Sequence, residues 1–318
     1  MRATAIAHPN IALVKYWGKR ERALNLPAVP SLSVTLDGFS TRTTVQWGAA
    51  AESFRLNGEV APPAAAEKVR RFLDLVDPDR PPCAVDSVND FPTAAGLASS
   101  SSAFAALAVA GAAAAGRALP PSALSALARQ GSGSACRSVF GGFVEWVMGA
   151  LPDGSDCHGQ PVAPADHWDL SVVVALVSDK PKATSSTLGM IHTQETCPLY
   201  PGWVSSAPAD VDAARAAVLA RDLPALVAAM ERSTNKMHAT MIATDPTIRY
   251  WRPQSVAVME LVEGLRAGGL PCGWTMDAGP NVKILTPTGL APEVAAAVEG
   301  LGLPARHLRL GGGARLVG

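Results

Sequence analysis

Asp90-Phe91-Pro92-Thr93-Ala94-Ala95-Gly96-Leu97-Ala98-Ser99-Ser100-Ser101-Ser102 leads without a break into an alanine-rich run to Ala115 that is too long and too poor in β-branched residues for a strand. Small residues and hydroxyls at a helix start present backbone N–H groups and the positive end of the helix dipole, a combination that binds phosphate. No lysine follows as in G-x-x-x-x-G-K-[ST], and the spacing is not G-x-G-x-x-G. The stretch predicts a nucleotide-phosphate site of another class, although a plain serine-capped helix start reads the same way in isolation.

Three further segments carry chemistry-bearing residues. In Asn10-Ile11-Ala12-Leu13-Val14-Lys15-Tyr16-Trp17-Gly18-Lys19-Arg20 the two lysines stand four apart and share a face if the chain is either helical or extended there. A solvated basic strand end gives the same pattern. In Gly131-Ser132-Gly133-Ser134-Ala135-Cys136-Arg137-Ser138, hydroxyls and small residues surround one guanidinium, whose planar fork matches a carboxylate bidentately. In Thr275-Met276-Asp277-Ala278-Gly279-Pro280-Asn281-Val282-Lys283 a carboxylate sits between apolar strand residues and a turn, where desolvation is costly without partners. An Asx-turn aspartate is the plain alternative. The hydroxyl-rich stretch from Lys182 to Met190 shows no apolar periodicity and reads as a loop.

These four segments, in this order, resemble the mevalonate diphosphate decarboxylase family of the GHMP kinase superfamily, and the likeness spans about residues 4–310. The resemblance implies an α+β, two-lobed GHMP-kinase-like fold, with an N-terminal lobe like ribosomal S5 domain 2 and a ferredoxin-like C-terminal lobe. It implies ATP-dependent decarboxylation of a phosphorylated 3-hydroxy acid, with ATP and Mg²⁺, in a homodimer. Nucleotide binding falls on Ala95, Gly96, Ala98, Ser99, Ser100 and Ser101. Lys15 and Asn10 fall near the transferring phosphate, and Tyr16, Lys19 and Ser186 on the substrate phosphate. Arg137, with Ser132 and Ser134, falls on the substrate carboxylate and phosphates. Asp277 faces the tertiary hydroxyl as base or orienter. Relatives on the same framework act on mevalonate 5-phosphate or mevalonate, or stop at phosphorylation, and a ligand sensor on this fold needs binding alone. Ala28-Val29-Pro30-Ser31 departs from the family's Asn/Ser-rich stretch, and Ser101-Ser102 from its small apolar residues.

The remaining sequence frames this reading. A chain of 318 residues suits two lobes, placed at 1–180 and 181–318 because an apolar strand at Asp169 to Ser178 precedes the loop. Residues 31–37 and 41–47 read as adjacent antiparallel strands about Gly38. Helices are expected over Val69–Val76, Ser122–Gln130, Ala209–Arg221, Leu223–Arg232, Val256–Ala267 and Pro292–Leu301. Lys plus Arg and Asp plus Glu both number 27, so no global field favours nucleic acid or an anionic membrane. Five scattered cysteines, at 83, 136, 157, 197 and 272, indicate neither disulfides nor zinc and suit a reducing cytoplasm. The apolar stretch from Ala103 to Gly116 is too short to span a bilayer.

Overall fold

The computed structural model describes residues 1–90, 99–180 and 184–318. A six-stranded sheet has the order Arg315–Val317, Arg2–Ala7, Thr41–Trp47, Cys83–Asn89, Ser53–Leu56, Glu59–Val60. Thr41–Trp47 alternates buried and open positions, as a strand covered on one face must. Its covering layer is the helix Ser99–Ala114, buried almost all round between the sheet and the helices Pro63–Val76 and Pro121–Gly131. Alanines along that helix permit close approach to the sheet, and Ser102, buried on the sheet, is paired with the Thr41 hydroxyl at 2.7 Å. Expected positions Ala95, Gly96 and Ala98 lie outside the described residues.

A second sheet has the order Gly159–Ala163, Phe143–Trp146, Ser31–Thr35, Asn10–Val14. Ser31–Thr35 and Thr41–Trp47 are therefore not paired, contrary to the reading of 31–37 and 41–47 as neighbours. Ser31–Thr35 is buried at every position, whereas the next strand alternates, and the chain changes sheets around Gly38 at φ +92°. The sequence run is continuous, but its two halves need different environments.

The third sheet, ordered Gly273–Met276, Val282–Pro287, Leu170–Ala175, Ala305–Arg309, is antiparallel throughout. With helices between its first and second strands and between its third and fourth, it has the ferredoxin-like βαββαβ pattern. Its helical layer includes Tyr200–Ala220 and Leu223–Ile242, longer than the periodicity alone suggested. Ile11, Leu32, Val34 and Phe143 of the second sheet share one core with Val211, Leu226 and Met230 of those helices and Val172 of the third sheet. Arg215 also grips Glu145 bidentately, Nε to Oε2 at 2.7 Å and Nη2 to Oε1 at 3.1 Å.

The stretch expected to be a loop between Asp179 and Met190 holds the start of a helix, Ser186–Thr196. Ser185 caps it, its side chain accepting from the Leu188 N–H at 3.2 Å. Only Gly189, Met190 and Thr193 are buried, so a narrow seam against Trp17 suffices and no strong apolar period is needed. The helix Pro121–Gly131 begins behind Pro120, with no side-chain cap. Among the described residues, no helix is long and apolar enough to cross a membrane.

Candidate active site

Lys15 follows the strand Asn10–Val14, whose pairing with Ser31–Thr35 is irregular between Ala12 and Val14. That irregularity leaves the Ala12 carbonyl to accept from Lys15 Nζ at 2.8 Å. The same ammonium donates to Asp277 Oδ1 at 2.7 Å, and Lys283 Nζ lies 3.2 Å from Oδ2. One carboxylate thus sits between two lysines that are each 1% exposed, while its own side chain is 30% exposed. The cations are sealed and the anion faces out.

Burial alone raises the Asp277 pKa, but Lys15 and Lys283 outweigh it and hold the carboxyl well below the usual carboxylate range. Burial likewise brings the Lys15 ammonium down to about 8 against the pull of Asp277, with Lys283 and Arg137 adding to the fall. The turn bearing Asp277 is fixed on both flanks. Asn281 Oδ1 accepts from the Val177 and Ser178 N–H groups at 2.8 and 3.0 Å, and Ser255 donates to the Pro280 carbonyl at 2.7 Å. His238 Nε2 faces the Met276 carbonyl at 3.2 Å, so that nitrogen carries the proton. Burial lowers the His238 pKa to about 3, leaving a neutral ring that braces the strand end.

Arg137, in the short helix Ala135–Ser138, is 2% exposed. Its Nε and Nη2 donate to Asn10 Oδ1 at 3.3 and 3.2 Å, and Nη1 donates to Ser31 at 2.5 Å. Asn10 in turn donates to the Ser134 carbonyl at 2.9 Å and to Ser138 Oγ at 2.8 Å. These contacts use three of the five guanidinium N–H donors. The Trp146 ring lies under the group at 5.7 Å. Tyr16 packs on the same ring at 4.6 Å, and its hydroxyl is buried without a protein partner among the described residues. A Cβ at Gly133 would come within 2.8 Å of Trp146 and 3.3 Å of the Tyr16 hydroxyl, so the loop passes here only as glycine.

Asn10, Lys15, Tyr16, Arg137 and Asp277 thus converge, as expected from their segments. Lys15 and Lys19 do not share a setting, because the intervening chain is neither helix nor one continuous strand. Lys19 lies in the strand Lys19–Glu21 and donates to Asn25 Oδ1 at 2.5 Å. Burial lowers its pKa, and Lys68 and Arg22 lower it further. Ser132 donates to Ser100 at 3.1 Å on the exposed side, which joins the two serine-rich segments. Ser99 is partly open, but Ser101 is fully buried, so its hydroxyl is not offered to a ligand at the surface. Ser134 is half-buried, and Ser186 is the first residue of its helix.

Lys283, Ser31 and Ser138 belong to the constellation but were not singled out in the sequence. Lys283 stands in the Asp277 string, and its alternation with Asn281 put both on one side of the strand. Nothing in the pattern marks the serines, whose roles arise from contacts across more than 100 residues.

A mixed lobe and a ferredoxin-like lobe, joined over a shared core and meeting at a lysine-flanked aspartate, define a GHMP-type enzyme. Residues 7–159 match the Diphosphomevalonate decarboxylase-like N-terminal domain, and residues 172–307 match the Mevalonate 5-diphosphate decarboxylase C-terminal domain. The chain belongs to the diphosphomevalonate decarboxylase family. It is 41% identical over 312 residues to diphosphomevalonate decarboxylase of Ganoderma lucidum, covering 90% of this chain and 78% of that protein. It resembles the crystal structure of mevalonate diphosphate decarboxylase from Staphylococcus aureus at 36% identity and TM-score 0.94, covering 100% of this chain and 98% of that one. A structure of MDDEF in complex with MVAPP, AMPPCP and magnesium is 40% identical, with TM-score 0.92, covering 100% of this chain and 99% of that one.

Proposed function

We infer that this chain converts mevalonate 5-diphosphate and ATP to isopentenyl diphosphate, ADP, phosphate and CO₂. The observation that carries the reading is the outward-facing Asp277 carboxylate between Lys15 and Lys283, beside the buried Arg137 held by Asn10 and Ser31. In this scheme a phosphoryl group passes from ATP to the tertiary 3-hydroxyl. The C1–C2 bond then breaks, its electron pair forms the C2–C3 double bond, and the C3–O bond leaves with the phosphate.

Asp277 meets the hydroxyl. The two lysines keep the carboxyl ionised, so Asp277 accepts a hydrogen bond from the hydroxyl, orients it, and takes up its proton late, as the new O–P bond closes. That suffices for a loose phosphoryl-transfer transition state, in which positioning and charge stabilisation dominate. Lys15 steadies negative charge at the transferring group. Arg137 has donors left for the carboxylate that departs, and Asn10 sets the plane of its guanidinium.

The residues fit a nucleotide. Ser99 and Ser100 stand at the start of the long helix, and Ser132 joins them; Ala95, Gly96 and Ala98 complete the proposed phosphate loop. Ser101, buried in the first turn of the helix, is proposed to belong to the same nucleotide site. Mg²⁺ is proposed to come with the nucleotide, held largely by its phosphate oxygens. Bound there, Mg²⁺ supplies neutralisation of the phosphate charge. The buried Tyr16 hydroxyl suits an anionic oxygen, and Tyr16, Lys19, Ser132, Ser134 and Ser186 form the proposed diphosphate site.

The lobes are proposed at 1–180 and 181–318, a division that strand pairing crosses: Leu170–Ala175 pairs within the ferredoxin-like sheet, Arg315–Val317 pairs with Arg2–Ala7, and Leu36 bridges Leu310. A homodimer in the cytoplasm completes the proposal; five unpaired cysteines suit a reducing compartment. Incubation with ATP and mevalonate 5-diphosphate tests the function. Equal yields of ADP, phosphate and CO₂ support it, whereas ADP without CO₂ makes the chain a kinase.

A further inference from the structure

The turn between Lys19–Glu21 and Leu26–Pro27 is held more firmly than an exposed hairpin requires. Asn25, the last residue of the turn, adopts φ +53°. Its side-chain nitrogen donates to the Arg129 and Gln130 carbonyls at 3.1 and 2.8 Å, in the last turn of the helix Pro121–Gly131. Those carbonyls lack partners within the helix. Arg129 is itself buried and reaches back to the Leu24 carbonyl at 3.0 Å and to the Gly154 carbonyl at 2.6 Å. The turn and the helix end therefore lock each other.

The same amide has a second face. Two carbonyls accept only, so the amide nitrogen must face them and the oxygen must face the Lys19 ammonium, which donates only. A carboxylate is nearby on the same hairpin, yet Glu21 is turned onto the Ala23 and Leu24 N–H groups at 2.8 and 2.5 Å. Lys19 is thus oriented by a neutral acceptor rather than an ion pair, with Lys68 and Arg22 as positive neighbours and Glu21 as a negative one that spends its hydrogen bonds on backbone N–H groups. The helix that anchors Asn25 runs directly into Ser132, Gly133 and Ser134.

We propose that Asn25 is a positioning residue: it clips the Lys19 ammonium to the end of the helix Pro121–Gly131, setting that cation in register with the Ser132–Ser134 loop for the diphosphate of the substrate. The inference rests on the reading of Lys19 as a ligand of that diphosphate. An aspartate at position 25 would keep the acceptor but spend the Lys19 charge internally, and would set its own negative charge against two carbonyls.

The test compares Asn25→Gly, Lys19→Met and the double variant, with Asn25→Asp as a fourth. Glycine accepts φ +53° without strain, so Asn25→Gly removes the amide while keeping the backbone turn. Expected is a rise of about tenfold in KM for mevalonate 5-diphosphate in Asn25→Gly, the scale of one hydrogen bond to a charged group, with KM for ATP unchanged. Lys19→Met raises the same KM further, and the double variant matches Lys19→Met alone, because Asn25 acts through Lys19. Asn25→Asp raises it at least as much as Asn25→Gly. If Asn25→Gly leaves this KM unchanged while Lys19→Met raises it, or if the two losses add in the double variant, the positioning role is overturned. A wild-type KM in Asn25→Asp overturns the need for a neutral partner. An unchanged KM in Lys19→Met overturns the reading of Lys19 itself, and the proposal with it.

Discussion

Lys15 and Lys19 stand four residues apart and hold their charges in opposite ways. Lys15 is sealed from water and donates to a carboxylate, so its charge keeps Asp277 ionised and, in the proposed mechanism, also faces the transferring group. Lys19 is partly open and donates to an amide, so its charge is left for an anion. In the proposed mechanism the difference separates two tasks that a sequence pattern cannot: fixing the protonation state of a reacting group, and binding a phosphate. A buried charge needs a partner at several kcal/mol, whereas a half-buried one can wait for its ligand.

The comparison breaks most sharply at the aspartate. Asp277→Asn keeps an oxygen for Lys15 but loses the negative charge, and turnover should fall on the order of 10²–10⁴-fold at saturating substrate. Retained turnover in a folded protein would remove Asp277 from the chemistry. Next comes Arg137→Lys, which keeps a positive charge but cannot satisfy Asn10 and Ser31 together with a ligand. Its kcat/KM should drop by about 1.5–3 kcal/mol in transition-state binding, measured against a substrate amide lacking the carboxylate charge. Equal discrimination between acid and amide in both proteins would take Arg137 off the carboxylate.

A smaller effect sharpens the contrast between the lysines by pH. Lys15 acts as the ammonium, the form lost as pH rises through its pKa, and burial has brought that value from 10.5 to about 8. The kcat/KM profile should therefore bend downward near pH 8, approaching a tenfold loss per unit above it. Lys15→Arg should move the bend to higher pH, because guanidinium stays protonated. A profile flat to pH 9.5 would contradict the burial of Lys15 as the source of its acidity.

The sequence made the long alanine helix legible through its composition, and made Lys15, Arg137 and Asp277 stand out as charges in apolar or small-residue runs, while the ferredoxin-like lobe followed from the family resemblance. Sheet membership was not legible. Ser31–Thr35 and Thr41–Trp47 look like one hairpin until their burial is known, and strand pairing across distant segments leaves no local mark. The helix Ser186–Thr196 was hidden for a related reason: one narrow seam on Trp17 orders it, so its hydroxyl-rich surface reads as loop. At the site, charged residues in rare settings stood out, while Ser31, Ser138 and the uncharged clip Asn25 did not. Their significance lies in which atoms they face.

The central claim is that the Asp277 pair does chemistry while the Lys19 corner only binds. Single-turnover reactions of Asp277→Asn and Lys19→Met, each with saturating ATP and mevalonate 5-diphosphate and with ADP and CO₂ followed together, test it most directly. The account predicts that Asp277→Asn, though fully loaded with substrate, releases neither product on the wild-type timescale, whereas Lys19→Met releases both at nearly the wild-type rate once saturated. Slow ADP and CO₂ release in saturated Lys19→Met together with near-normal release in Asp277→Asn would contradict it.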